Sequence, residues 1–221
     1  MLPGRCKGHE EMSLLDELAT ARRSIRKYRA EMPPATCIEE MLHLALHAPS
    51  SGNSQPVRFI RINSESVKAL LREDMEAGRR RFLQAAIASK QPKKLRNWIN
   101  AYYRFSQFMF DAPLLMAVGT VNALSGFSRT LSENGINIPA KRWETDADIA
   151  VGLALQGFML KGRELGLGTC ILTAPLAFMS RVDEALALTD VEIKCFITIG
   201  FPAETPSAPK KRGIAGIYCE L

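Results

Sequence analysis

No run of apolar residues in this chain of 221 approaches the roughly 20 that cross a bilayer, so no membrane partner is expected. The opening MLPGRCKGHEEM lacks the apolar stretch of an export signal, which points to a cytoplasmic protein. Cysteine is scarce. Cys6, Cys37, Cys170, Cys195 and Cys219 are odd in number and form no CxxC pair. That argues against a disulfide frame and a zinc site and suits reduced thiols. Histidine is scarcer, with three in all. His43 and His47 stand four apart on a predicted helix, but no carboxylate or third ligand joins them, and no metal is expected. Internal repeats and a dividing linker are missing too. With 47% hydrophobic and 24% charged residues, the chain reads as one α+β domain over 1–221.

The net charge is +6. A basic balance suits nucleic acid or phosphorylated small molecules. The basic residues are split among several helices and both ends of the chain, with no stripe that alternates with aromatics. Nucleic acid is therefore the weaker reading.

Residues 13–22 read as a helix, with Ser13 placed to cap it and Leu14, Leu15, Leu18 and Ala19 on one face. After Pro33-Pro34, Thr36 and Glu39 have capping-box spacing. Ile38, Met41, Leu42, Ala45 and Leu46 then recur at helical intervals until Pro49. Residues 57–62 are strand-like. Two long helices follow over about 65–90 and 93–110, and the aromatics from Trp98 to Phe110 are expected in a core or interface. Residues 113–121 read as a buried strand. Residues 122–144 are rich in turn formers and read as an extended loop or lid, with Trp143 the lid candidate. Thr145 and Asp148 resemble a cap for a helix over 146–165. That helix is apolar nearly all round, hence central or at a subunit interface. A strand over 169–172, a helix over 176–188, a strand over 191–200 and a proline-spaced tail complete the chain.

Four short segments carry groups with no evident place in a core. Ala48 to Pro56, APSSGNSQP, is dense in small hydrogen-bonding groups that suit a polar ligand; its plain alternative is a turn. Arg22-Arg23-Ser24-Ile25-Arg26 sets three guanidinium forks and a hydroxyl within five residues. Such donors match phosphate oxygens, the alternative being a solvated basic helix end. Pro209-Lys210-Lys211-Arg212 is a second basic cluster or a solvated terminus. LGTCILTAP, from Leu167 to Pro175, lets a flat ligand approach the backbone, or is a helix cap and an edge strand. Cys170 within it has no histidine near it in sequence and reads as a small buried residue.

Taken in order, RRSIRKY, APSSGNSQP, LGLGTC, and GFP followed by PKKR resemble the nitroreductase family of flavoproteins, over about residues 14–212. The resemblance implies a nitroreductase-like α+β fold, with a central, mainly antiparallel sheet flanked by helices. It implies an intertwined homodimer with FMN at the subunit interface. Arg22 and Ser24 would hold the FMN phosphate with Lys210 and Arg212. Arg23 would give backbone or ribityl contacts. Arg26 would stand at the pyrimidine end, where a cation stabilises reduced flavin. Pro49, Ser50, Ser51 and Asn53, with Gln55 beside them, would reach the flavin from the partner subunit. Leu172 would line it, and Thr173 and Ala174 would offer a backbone N–H to flavin N5.

The implied activity is hydride transfer from NADH or NADPH through FMN to nitroaromatic, quinone or similar small-molecule acceptors, in ping-pong fashion. No side chain is required as catalyst. Dehalogenation, enone reduction or flavin fragmentation on the same fold is the alternative, to be decided in 65–144. The chain departs from the family at Val57, where an aromatic is frequent, and at Thr173-Ala174, where some members have Glu-Gly. Arg104 and Gln107 lie where some members bring Asn or Lys to the flavin. A non-enzymatic nucleic-acid binder is the remaining rival and would show steep salt dependence.

Overall fold

The computed structural model describes residues 12–121, 126–136 and 139–220. Helix α1 (Leu14–Ala21) starts as its sequence dictates. The Ser13 hydroxyl accepts the Asp16 N–H at 3.2 Å, and the Asp16 carboxylate accepts the Ser13 N–H at 3.3 Å. Helix α2 (Ala35–Leu46) starts differently. Its N-cap is Pro34, with φ −56° and no side-chain cap, so the Thr36–Glu39 capping box does not form. The locked proline dihedral opens the helix early enough to put Thr36 inside it.

Strands β1 (Val57–Arg61), β2 (Leu114–Val121), β3 (Gly168–Leu172) and β4 (Val191–Gly200) make one sheet in the order β1-β2-β4-β3. Every neighbouring pair is antiparallel. The period-2 alternation of β2 divides the core. Leu114, Met116 and Val118 join Met41 and Phe158 on the face covered by α2 and α6 (Ala140–Glu164). Leu115 and Ala117 join Leu71, Met75 and Phe196 on the other face. Covering that second face are α3 (Glu65–Ile87), α4 (Pro92–Gln107), α7 (Ala174–Phe178) and α8 (Val182–Leu186).

Two stretches differ from the sequence expectation. Helix α5 (Gly126–Glu133) and the first turns of α6 occupy much of the expected loop over 122–144. Positions 122–125 and 137–138 lie outside the described residues, as does the side chain on which the Trp143 lid reading rests. The only buried residue of α5 is Ser128, so no apolar stripe announces it. Helix α6 opens behind Pro139, which leaves Thr145 inside it, donating its hydroxyl to the Lys141 carbonyl at 2.8 Å instead of capping.

The expected helix over 176–188 is two helices, α7 and α8. Buried Asp74 of α3 breaks it by accepting the N–H groups of Ser180 and Arg181, each at 2.8 Å. Glycine at 78 lets α3 meet this turn backbone to backbone, because a Cβ there would lie 1.7 Å from the Phe178 carbonyl oxygen. Among the described residues no helix is long and apolar enough to cross a membrane, and no group of three potential metal ligands gathers.

Candidate functional site

Sheet order decides which of the predicted residues meet. The segment after α1 adds to the free edge of β3: Ser24 bridges Thr169, and the Ile25 N–H donates to the Thr169 carbonyl at 3.0 Å. The tail then runs antiparallel to that segment. Arg29 donates its N–H to the Phe201 carbonyl, and Ala203 to the Lys27 carbonyl, both at 2.9 Å. Glu204 locks the pairing by accepting the N–H groups of Arg26 and Lys27 at 2.6 and 3.1 Å. Two ends of the chain thus become one edge. Tyr28 shares a 2.7 Å hydrogen bond with the Thr198 hydroxyl, and burial holds its phenol well above the usual value.

At this edge Arg22, Arg23 and Arg163, from the last turn of α6, surround a cavity of ≈ 320 Å³ that the tail reaches with Thr205 and Pro206. Lys210 and Arg212 lie farther along the tail, exposed and outside the lining of this cavity. No described carboxylate pairs with Arg22, Arg23, Arg26 or Arg163. Arg23 donates through Nη1 to the Thr20 and Arg22 carbonyls at 2.6 and 2.7 Å, while its buried Nε has no partner. Glu204 also lines the cavity, with its carboxylate engaged by the Arg26 and Lys27 N–H groups, and the buried Arg23 Nε is costly unless an acceptor joins it. The residues present therefore fit a phosphate group.

The same edge continues along β3. Leu172 is buried at its end, Thr173 is the N-cap of α7, and Ala174 opens that helix. A first-turn N–H has no intrahelical acceptor and is free for another group. Cys170 is 3% exposed; burial raises its thiol above the usual value, against a smaller lowering by the Arg26 charge. A protonated, enclosed thiol is a packing group, as expected.

The loop over 48–56 is elsewhere. It leads into β1, the opposite edge of the sheet, about 14 Å from β3 by three strand spacings. Its backbone is strained. Gly52, Asn53 and Gln55 have φ of 55°, 54° and 47°. Left-handed non-glycine residues cost on the order of 1 kcal/mol each and collect at ligand clamps. The Ser50 hydroxyl accepts the Gln55 N–H at 3.0 Å, and the Gln55 side chain donates to Asn53 Oδ1 at 3.2 Å. Pro49, Ser50 and Gln55 line a mostly apolar groove of ≈ 500 Å³ with Leu42, Leu46 and Phe59. Ser51 and Asn53 lie outside its lining, on the exposed crest. One chain thus brings Arg22, Arg23, Ser24, Arg26, Leu172, Thr173 and Ala174 to one edge and leaves the loop residues at the other.

Arg163 is the residue that sequence reasoning missed. A basic side chain in a helix's last turn is ordinary, and only the pairing of 24–29 with β3 sets it beside Arg22.

The site is thus a basic cavity at one edge of an antiparallel sheet flanked by helices. The chain belongs to the nitroreductase family, whose model matches residues 19–201. Among relatives, it is 26% identical to the iodotyrosine deiodinase of Thermotoga neapolitana, over 91% of this chain and 93% of that one. It is likewise 26% identical to the 4-nitrobenzoate reductase of Pseudomonas putida, over 89% of each. A solved BluB-like flavoprotein from Clostridium difficile 630 shares the fold, with a TM-score of 0.76 at 22% identity over 96% of this chain and 100% of that one.

Proposed function

We propose that the protein is an FMN-dependent oxidoreductase that moves hydride from NADH or NADPH to nitroaromatic, quinone or similar electrophilic small molecules in a ping-pong cycle. The observation that carries this reading is the cavity that Arg22, Arg23 and Arg163 line without an ion-pair partner among the described residues, at the sheet edge that Ser24 joins at Thr169 and that runs on to Leu172. FMN supplies the two-electron chemistry when bound. Arg22, Ser24 and Arg163 hold its phosphate, and Lys210 and Arg212 close over it from the tail. Arg23 adds backbone or ribityl contacts. Arg26 places positive charge at the pyrimidine end, where negative charge develops. Leu172 gives an apolar wall, and the Thr173–Ala174 backbone orients N5.

The other wall, Pro49, Ser50, Ser51, Asn53 and Gln55, comes from a second copy in a homodimer. Support for this lies in the sheet order, which leaves those residues at the edge opposite Arg22. It lies also in the outer surface of α2 and α6, which exposes Leu44, Leu46, Ile149 and Leu153, with Leu46 in the groove that Pro49, Ser50 and Gln55 line. Reductive dehalogenation is the second reading, favoured by the likeness to a protein named iodotyrosine deiodinase. Both readings use the same FMN residues.

Purified protein reconstituted with FMN, then given NADH or NADPH without oxygen, tests the proposal. Retained flavin that bleaches and recovers on adding a nitroaromatic or quinone supports it; protein that cannot retain FMN contradicts it. Turnover of a halogenated phenol but of no nitroaromatic or quinone favours dehalogenation.

A further inference from the structure

The α3–α4 hairpin carries the charge imbalance of the whole chain. Residues 65–107 hold ten Lys and Arg against four Asp and Glu, a surplus equal to the +6 of the full sequence. From 77 to 110 there are eight cations and no acid. Part of that surplus is organised. Asn97, Asn100, Arg104 and Gln107 recur at three- and four-residue steps along α4 and face Arg79 of α3 across an open groove of ≈ 500 Å³.

Arg79 is held in place. Its Nη1 donates to both Glu76 oxygens at 3.0 and 3.2 Å, and its Nε donates to Asn100 Oδ1 at 3.1 Å. Its guanidinium lies 4.9 Å from the centre of the Tyr103 ring. Because Arg79 occupies the Asn100 oxygen, the Asn100 amide N–H groups remain as donors. Glu76 neutralises Arg79, so the uncompensated charge of the groove is that of Arg104. Arg104 is exposed and makes no ion pair among the described residues.

We propose that this groove binds the oxyanion group of a small molecule, a carboxylate or a phosphate. The Arg104 fork grips the oxygens, Asn97, Asn100 and Gln107 donate neutral hydrogen bonds, and Arg79 forms an ordered floor. None of the residues given FMN contacts under the proposed function lines the groove; Arg104 and Gln107, at the positions where some members of the family bring Asn or Lys to the flavin, belong to it instead.

Calorimetric titration of the FMN-loaded protein with inorganic phosphate, benzoate and uncharged benzamide, at constant ionic strength, tests it. FMN keeps the probes off the Arg22 edge; if the chain takes up no FMN, the same titration is run on the protein as purified. We expect phosphate or benzoate to bind and benzamide not to bind. Arg104→Gln should weaken binding about 5- to 10-fold, the range of one partly exposed charge-assisted contact. Arg80→Gln removes the same charge from the hairpin outside the groove and should change binding less than about twofold. Binding of benzoate alone assigns a carboxylate ligand, of phosphate alone a phosphate ligand, and of both a general oxyanion site. Absence of binding by both anions, or equal weakening by the two variants, overturns the proposal.

Discussion

The two faces of the sheet are finished in different ways. On one face the chain closes itself. Asp74, 2% exposed, ties α3 to the turn between α7 and α8, Arg81 donates to the Phe178 carbonyl at 3.3 Å, and Gly78 seats the two backbones together. On the other face α2 and α6 bury Met41 and Phe158 beneath them, yet Leu46 remains 66% and Ile149 55% exposed beside an apolar groove. That face is tied together from within, although the outer surface of α3 and α4 also exposes Leu70, Trp98, Tyr102 and Phe105. An apolar outer surface beside a strained, polar loop suits cover by another surface. In the proposed homodimer that surface belongs to a second copy, which receives the 49–55 loop in return.

Gly78→Ala should break the closed face hardest. Its new Cβ would lie 1.7 Å from a carbonyl oxygen, and overpacking against backbone should cost about 3 kcal/mol or more, read from the urea midpoint. Asp74→Ala comes next. It removes the shared acceptor of the Ser180 and Arg181 N–H groups, and about 2 kcal/mol should be lost in the same assay. On the open face, Leu153→Glu should change the stability of the chain itself by only about 0.5 kcal/mol, because Leu153 is 43% exposed. Sedimentation velocity should instead show monomer, and the monomer should lose FMN.

Arg22→Gln lies on neither face. It should weaken FMN binding about 10-fold while the oligomer survives. A further effect, confined to alkaline pH, concerns the core beneath α2 and α6. Burial pushes the Cys195 thiol from 9.0 up to about 12, so the folded chain keeps a proton that the unfolded chain releases first. Stability should be complete below pH 9.0 and fall as pH rises from there towards about 12. Tyr28, also raised by burial, adds in the same direction at still higher pH. Urea midpoints taken across this range should flatten in part in Cys195→Ala.

Local signals in the sequence hold in the structure where the cause is local. The Ser13 cap lies within one turn of its partner, and the run Leu114 to Val121 is buried on both sides as its apolar continuity requires. Reading failed where the cause is distant or a competitor is stronger. Asp74 breaks the 176–188 helix from 106 residues away. Pro34 and Pro139 set helix starts ahead of better-looking polar caps. The four family motifs are visible as strings, but their arrangement is not. Only the order β1-β2-β4-β3 reveals that APSSGNSQP and RRSIR stand at opposite edges. Arg163 gives no sequence signal, because its importance comes from the neighbour that the bridge at Thr169 brings to it.

The proposed sharing of one flavin site between two copies can be tested by complementation. One chain would carry Arg22→Gln with Ser24→Ala, the other Ser51→Ala with Asn53→Ala, each with its own purification tag. Either homodimer should retain little FMN. The doubly purified heterodimer pairs an intact edge with an intact loop at one of its two sites and should regain one tightly bound flavin. A heterodimer that retains no more FMN than the two mutant homodimers would contradict a site shared between copies.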